Sequence, residues 1–332
     1  MTYQTNIGRA AVGLFFCLVC SAPKAQEEAI VLDPSTGNYV INYRGFNLDT
    51  GTRSWQRVIF VPATKIDPVA KSRFKLTDQG LVAYHYKVKN ASTSQQALSG
   101  FRALVSQANR TSQVVPQGWR GSVVPDRNTT NMRLNWSYSR QQAGDGLKPG
   151  NSQSGFGVES SDLPGVGMLR LRGATPTLAF PDEGPSQELS DKLDELSSPD
   201  SDSVPRLAAI PRIPNPTPFN AAVVLGSIQQ HVKTDMVSMQ LIDPALLAPV
   251  DRGLTQAIAA AQGGNTPSLL HEIMNLRQLL KQEHADVDKD DDGDRDDDDK
   301  NKAAKRQIDK LAARVLDFDL KYVERRVKGE KD

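Results

Sequence analysis

The spacing of apolar residues changes once along this chain of 332 residues, and that change limits its possible folds more than any other feature. Up to about residue 180 the apolar residues alternate, as in half-buried strands. Val82, Tyr84, Tyr86 and Val88 give the clearest example. From about Pro244 they recur three and four residues apart, as on one face of a helix. We therefore predict an α+β, multidomain protein with an N-terminal antiparallel β-sandwich and a C-terminal helical hairpin or three-helix bundle.

Composition sets the boundaries between these parts. The β-sandwich is predicted over residues 27–180. Residues 181–218 contain eight prolines among Ser, Asp and Glu, so we expect a mobile linker that buries little apolar surface. Residues 219–243 are assigned as one or more strands that return to the sandwich. Residues 244–332 form the helical module.

Three apolar stripes predict the helices of this module. Gly263 ends the first helix, and Thr266 is the expected N-cap of the second, with Pro267 at its first position. The stripes are Leu247, Val250, Leu254, Ile258 and Ala261; Leu269, Ile273, Leu276 and Leu280; and Ile308, Leu311, Val315, Phe318 and Tyr322.

The N-terminal residues 1–25 have the features of a signal peptide. Arg9 precedes the apolar run Ala10–Cys20, which is too short to span a bilayer as a helix. Small residues then allow cleavage after Ala22 or Ala25. The alternative is an uncleaved segment that anchors the chain to the membrane. We expect an exported protein, either secreted, periplasmic or at the cell surface.

Both cysteines, Cys17 and Cys20, lie within this segment. The mature chain would therefore lack disulfides, thiolate nucleophiles and cysteine zinc sites. A secreted chain of this kind depends on its core, or on a metal, for stability.

The run Asp286–Asp299 has the most unusual composition of the chain. Its fourteen residues include ten aspartates and two cations, which give a formal charge of −8. A divalent cation bound inside the run would hold so many carboxylates together. The alternative is a solvated acidic segment that binds no metal.

The spacing of these aspartates resembles the calcium loop of EF-hands and dockerins over twelve residues. Asp288, Asp290 and Asp292 take positions one, three and five, and Gly293 takes position six. Position twelve holds an aspartate in place of the usual glutamate, which implies one weak Ca²⁺ site. The candidate ligands are Asp288, Asp290, Asp292, Asp294, Asp296 and Asp299.

Motifs for catalysis are missing from the sequence. The run from His271 resembles a metalloprotease helix, but Asn275 replaces the second histidine. No nucleophile elbow, phosphate loop or dinucleotide fingerprint occurs. We therefore expect no enzymatic activity.

Aromatic residues of the β region offer a different kind of site. Trp55, Trp119, Trp136 and Tyr138 are candidates for a flat platform that binds sugar rings. Trp119 is the best ligand candidate, because it lies between Gly118 and Arg120 in a loop-like stretch. The alternative is that these rings form the core.

Several short motifs resemble the immunoglobulin-like sandwiches of uncharacterised secreted bacterial proteins. The motifs are Tyr86-Lys87-Val88-Lys89-Asn90, Pro116-Gln117-Gly118-Trp119, Gly146-Leu147-Lys148-Pro149-Gly150 and Gly155-Phe156-Gly157. The helical half is similar to small modules appended to bacterial extracellular proteins. These resemblances imply export and a modular build, and they imply no catalytic residues.

These observations predict an exported, non-enzymatic binding or surface-interaction protein with one calcium-binding acidic loop. Its partner would be a protein or a glycan. A carbohydrate-binding β-sandwich module is the first alternative, and a secreted hydrolase is the second. The formal net charge of +1 gives no general attraction to nucleic acid or membranes, so no nucleic acid is expected as a partner. After cleavage of the signal peptide, no membrane-spanning segment is expected.

Overall fold

The chain folds into sheets followed by helices. The computed structural model describes residues 27–47, 49–106, 111–126, 129–139, 145–284 and 307–330. Within these ranges twelve strands form three antiparallel sheets, and five α-helices lie mostly toward the C-terminus. The predicted α+β class, with an antiparallel sandwich followed by helices, is confirmed.

The strands differ in length but pair in one manner, antiparallel throughout the described chain. They form sheets of order β1-β2-β3, β4-β5-β10-β7 and β12-β11-β6-β9-β8. In chain order they are β1 (Ala29–Asp33), β2 (Asn38–Asn47), β3 (Thr52–Phe60), β4 (Pro68–Leu76), β5 (Val82–Asn90), β6 (Leu98–Val105), β7 (Thr111–Val114), β8 (Trp119–Pro125), β9 (Met132–Tyr138), β10 (Ser152–Ser160), β11 (Leu163–Gly173) and β12 (Val204–Ile213).

The three-stranded sheet has a small core of its own. One of its faces packs against helix α1 (Gln187–Ser197), and the opposite face points to solvent. The residues of this core are Ile41, Tyr43, Phe60, Leu189 and Leu193.

The four-stranded and five-stranded sheets pack face to face as a sandwich with an aromatic centre. Phe101 stacks on Trp136, with ring centroids 4.8 Å apart. Phe156 meets Phe101 edge-on at 4.9 Å, and Tyr86 meets Trp136 at 5.5 Å. The inward alternation predicted for β5 is confirmed, because Val82, Tyr84, Tyr86 and Val88 are all buried.

Residues 181–218 differ from the expected mobile linker, because they contain both α1 and β12. Strand β12 pairs with β11 and forms one edge of the five-stranded sheet. Pro205 and Pro211 fit there, because an edge strand leaves one row of backbone positions without a partner strand. Composition suggested a linker, whereas the edge position makes the prolines compatible with a strand.

Residues 219–243 also differ from expectation. In place of a returning strand they form helix α2 (Ala221–His231) and a π-helical turn over Val232–Met236. Val224 and Ile228 are buried four residues apart, which is a helical spacing. The strand that returns to the sandwich is β12.

Three longer helices complete the fold: α3 (Pro244–Gln262), α4 (Thr266–Glu283) and α5 (Lys310–Val327). They share one continuous hydrophobic core with the sandwich. Phe318 of α5 meets Phe74 of β4 edge-on at 5.1 Å, so the boundary predicted at residue 244 does not separate two cores. Among the described residues, none of the helices has both the length and the apolar composition needed to cross a membrane.

Candidate functional site

The predicted calcium ligands lie outside the described residues. The structure describes the chain up to His284 and again from Gln307. We use the term neck for the four residues Glu283, His284, Gln307 and Ile308, which flank the acidic run. The ligands outside the described ranges are Asp288, Asp290, Asp292, Asp294, Asp296 and Asp299.

The neck brings the two flanking segments together. The backbone N–H of Gln307 donates to the Glu283 carboxylate at 2.8 Å. His284 Nε2 lies 2.8 Å from the carbonyl oxygen of Ile308. Because that oxygen only accepts, Nε2 carries the proton and donates it. His284 is 1% exposed and Ile308 2% exposed, so buried contacts join the two described segments that precede and follow the acidic run.

The helices beside the run do not support the EF-hand resemblance. In an EF-hand the twelve-residue calcium loop joins two helices directly. Here α4 ends at Glu283 and α5 begins at Lys310, so neither helix reaches the loop predicted from Asp288 to Asp299. In the described ranges, no three His, Cys, Asp or Glu side chains are arranged to hold a metal ion.

Trp119, the predicted ligand platform, lies in the sandwich core. It is the first residue of β8 and is 8% exposed. Its ring meets Phe156 edge-on at 4.8 Å and Tyr138 at 5.6 Å. A sugar ring stacks on an exposed aromatic face, which Trp119 does not offer. The burial therefore favours the alternative that this residue belongs to the core.

A concave surface lies elsewhere, on the outer face of the five-stranded sheet. We call it the arginine groove, and it is a cavity of about 470 Å³. Four arginines line this groove. The alternation of side chains along the strands places them outward, because Phe101, Ala103, Leu169 and Leu171 point into the core. No acidic residue of the described chain lines the cavity. Its arginines are Arg102 of β6, Arg133 of β9, and Arg170 and Arg172 of β11.

Aspartates from the segment before β12 orient three of these arginines. Asp200 forms an ion pair with Arg102 and lies 3.3 Å from Arg170 Nε. Arg172 Nη2 donates to Asp202 at 2.9 Å. These contacts attach the segment to the sheet and also limit the motion of the guanidinium groups.

Burial shifts the pKa values of two members of this cluster, Arg102 and Asp202. Desolvation lowers the pKa of the Arg102 guanidinium, and the charge of Asp200 partly offsets that effect. Burial also raises the pKa of the Asp202 carboxyl, although this group accepts from the Ala63 N–H at 2.6 Å and from Arg172. The charges therefore lie in a partly desolvated environment, where electrostatic interactions are stronger than in water.

Strand β9 contributes Arg133 and several neutral polar groups to the groove. Arg133 forms an ion pair with Asp126, which follows β8. Asn135, Ser137 and Tyr138 of β9 line the same cavity. The groove therefore combines guanidinium groups with an amide, a hydroxyl and an aromatic ring.

A buried histidine beside a half-buried aspartate has the appearance of part of a catalytic site. His231 Nδ1 lies 2.8 Å from Asp235 Oδ2, and Arg212 Nε donates to the same oxygen at 3.1 Å. However, His231 Nε2 accepts the backbone N–H of Val166 at 3.0 Å. Nδ1 must then carry the proton, so neither ring nitrogen can take a proton from a substrate. The pair ties the π-helical turn to β11.

The sequence contained part of the signal for the arginine groove. In the strand segments Phe101–Val105 and Met168–Leu171, the alternation of side chains places Arg102 and Arg170 on the solvent side. The sequence does not show that β11 pairs with β6 in a register that places Arg170 directly opposite Arg102. Only the pairing of distant strands brings the groove arginines together.

No family model and no curated protein matches this chain. A solved structure with some similarity is an uncharacterized protein from Nocardia farcinica that has an immunoglobulin-like fold. The match has a TM-score of 0.26 and 14% sequence identity, and it covers 36% of this chain and 89% of that chain.

Proposed function

We propose that this chain is an exported, non-enzymatic binding protein and that the arginine groove takes an anionic ligand. The observation that carries this proposal is the convergence of four arginines from three neighbouring strands on one cavity of about 470 Å³. Ligand sites are typically concave and contain a few polar groups that orient the ligand. The planar guanidinium group binds carboxylates and phosphates through two parallel hydrogen bonds.

The aspartates behind the arginines support this function. Asp200 and Asp202 restrict the side chains of Arg102, Arg170 and Arg172, so less conformational freedom is lost on binding. Asp126, Asp200 and Asp202 pair with the four arginines but do not line the cavity, so the cluster keeps a formal excess of one positive charge toward an entering anion.

An acidic glycan is the ligand class that this lining fits best. The Tyr138 ring offers an apolar surface, Asn135 and Ser137 offer hydrogen bonds to sugar hydroxyls, and the arginines offer partners for carboxylates. This proposal keeps the predicted carbohydrate-binding alternative but moves its site from Trp119 to the groove.

Calorimetric titration of the full chain with a galacturonic acid oligosaccharide tests the proposal. We expect saturable binding that weakens with salt, and no binding of an uncharged oligosaccharide of the same length. Arg133→Gln should weaken binding roughly tenfold to a hundredfold, because a hydrogen bond to a charged group contributes about 1.5–3 kcal/mol. Arg206→Gln is the control, since Arg206 pairs with Asp67 at 3.4 Å outside the groove. Equal weakening by both variants, or no heat with the acidic oligosaccharide, contradicts the proposal.

We also propose that the acidic run binds one Ca²⁺ ion through the six predicted aspartates. The neck supports this idea, because His284 and Ile308, which lie on either side of the run in sequence, are hydrogen-bonded to each other. Folding of the core then already bears the entropic cost of closing the loop, and Ca²⁺ binding has only to bring the carboxylates together.

Calcium titration of the full chain by calorimetry tests this second proposal. We expect saturable one-to-one binding that the double variant Asp288→Asn/Asp292→Asn abolishes. Asp297→Asn/Asp298→Asn removes the same charge at positions that the loop spacing does not use, and it should retain binding. If both variants lose affinity equally, the run attracts cations only through its charge. The absence of heat at millimolar calcium would reject a calcium site of the predicted strength.

A further inference from the structure

The outer face of the three-stranded sheet exposes apolar side chains next to one another. Val31, Val40 and Ile59 lie opposite each other in the register, one on each strand. Val31 is 51% exposed and Ile59 53% exposed. Trp55 lies on the same face of β3 and is 39% exposed. Contiguous exposed apolar surface of this kind usually marks an interaction site.

Three arginines, Arg44, Arg53 and Arg57, share this face. Arg44 lies directly opposite Trp55 in the register. The guanidinium group of Arg53 lies 5.8 Å from the ring centre of Phe46. Within the described ranges, none of the three forms an ion pair. We call the set Val31, Val40, Arg44, Phe46, Arg53, Trp55, Arg57 and Ile59 the aromatic–arginine face.

Acidic side chains at the margins of the sheet are already engaged. Asp33 accepts hydrogen bonds within its own turn, chiefly from Ser35, and these lower the pKa of its carboxyl to about 2. The Glu28 carboxylate accepts a hydrogen bond from the backbone N–H of Arg44 at 2.9 Å, and it also interacts electrostatically with Arg53. Among these residues the three arginines outnumber the Glu28 carboxylate, so their summed charge is positive.

We propose that the aromatic–arginine face docks onto the surface of a bilayer that contains anionic phospholipids. Such a surface accommodates all three kinds of side chain at once. Anionic headgroups attract arginines, the headgroup region favours tryptophan, and the adjoining acyl chains cover apolar residues. A soluble acidic polymer pairs with the arginines but leaves Val31 and Ile59 in water. The apolar row therefore favours the membrane surface over a polymer.

Vesicle binding by the full chain tests this inference, with tryptophan emission as the readout. Trp119 is 8% exposed and Trp136 1% exposed, so Trp55 is the tryptophan whose surroundings change on docking. We expect the emission to shift to shorter wavelength, and the protein to sediment with vesicles, when phosphatidylglycerol is mixed into phosphatidylcholine. Vesicles of phosphatidylcholine alone should bind much more weakly, and salt should weaken the binding further.

Variants locate the binding surface. Each arginine near an anionic surface contributes about fivefold, which corresponds to about 1 kcal/mol. Arg57→Gln should therefore weaken binding about fivefold, and the triple variant Arg44→Gln/Arg53→Gln/Arg57→Gln about a hundredfold. Trp55→Ala should weaken binding and remove the emission shift. These side chains point away from the core of the sheet, so folding, checked by circular dichroism, should be unchanged.

A charge-matched control comes from a different sheet. Lys71, Arg73 and Lys75 of β4 are exposed, and their replacement by Gln removes the same charge. This triple variant should bind vesicles like the parent protein. Equal loss in both triple variants overturns the proposal in favour of unspecific attraction.

Other occupants of the face give different results, and each overturns the proposal. Binding that no variant of the face weakens would place the contact elsewhere in the chain. An emission shift that depends on protein concentration without lipid identifies a second copy as the occupant. Binding of polygalacturonate through Arg44, Arg53 and Arg57, without binding of vesicles, identifies an acidic polymer.

Discussion

Asp319 lies on the side of α5 that packs against the sandwich, and its burial has a cost. The residue is 1% exposed, and its Oδ1 atom has no hydrogen-bond partner. Burial raises the pKa of its carboxyl well above the ordinary value. Tyr84, which is fully buried, also has a raised pKa, first through burial and further through nearby acidic groups that include Asp319. Burial therefore favours the neutral form of Asp319 over the charged form.

The effect of replacing the Asp319 carboxyl on the free energy of unfolding should depend on pH. A group whose pKa is higher in the folded protein keeps its proton there while the unfolded chain loses it, so the free energy of unfolding falls as pH rises above about 4. Asp319→Asn should therefore be close to neutral at pH 4 and should raise the free energy of unfolding by roughly 1–3 kcal/mol at pH 7. Urea denaturation at the two pH values measures the difference.

Asp317, two residues before Asp319, differs from it because its carboxylate pairs with an arginine. Asp317 accepts from Arg277 Nε at 2.8 Å, with the two side chains 5% and 18% exposed. Asp317→Asn removes one charge of a buried pair and should destabilise the protein at pH 7 by about 3 kcal/mol. If Asp319→Asn is also less stable than the parent at pH 7, the neutral carboxyl makes contacts that its burial alone does not suggest.

Elements with a strong local signal were predicted well from the sequence. The four residues expected to form the stripe of α4, Leu269, Ile273, Leu276 and Leu280, are the four that it buries. The period of a helix is set within one segment, so neighbours in sequence are enough to recognise it. The N-cap of α4 is Asn265, one residue before the expected Thr266, because its side-chain Oδ1 accepts from the backbone N–H of Ser268, three residues further on.

Elements that depend on a distant partner were missed. Strand β12 contains Pro205 and Pro211, and its identity as a strand comes from pairing with β11. The arginine groove has the same origin, since Arg102 and Arg170 are brought together by register. Alternation indicates that such side chains face outward, but it does not indicate which strands are neighbours.

The edge of β12 yields a prediction about its contact with β4. The backbone N–H of Ala209 donates to Ser72 Oγ at 2.8 Å, and both residues are buried. Ser72→Ala leaves this N–H without a partner, which should lower the free energy of unfolding by about 1–3 kcal/mol. Ser122→Ala is the control, because Ser122 is exposed and accepts only a 3.3 Å bond from Asn135. Urea denaturation should show no more than a few tenths of a kcal/mol for the control.

At the scale of the whole molecule, the helices and the sandwich depend on each other. Phe74, a sandwich residue, is 7% exposed and is covered from the helical side by Phe318 and by the Arg314 guanidinium at 5.6 Å. Tyr322 of α5 accepts from the Asn215 side chain at 2.8 Å, which adds a polar contact to the same junction. Experiments on the acidic run therefore belong on the full chain, because the helices beside it share the core of the sandwich.

This shared core predicts that the described chain unfolds in one step. Phe74→Ala should lower the free energy of unfolding by about 3–5 kcal/mol, because it removes a buried ring from the junction. Since the ring supports both parts, far-UV circular dichroism, which follows the helices, and the emission of the core tryptophans Trp119 and Trp136 should shift together. Val69→Ala, on the exposed side of β4, is the control and should shift neither signal appreciably. If Phe74→Ala moves the emission transition while the helical signal stays in place, then the helices fold independently, and the contact between Phe74 and Phe318 joins two units that do not need each other.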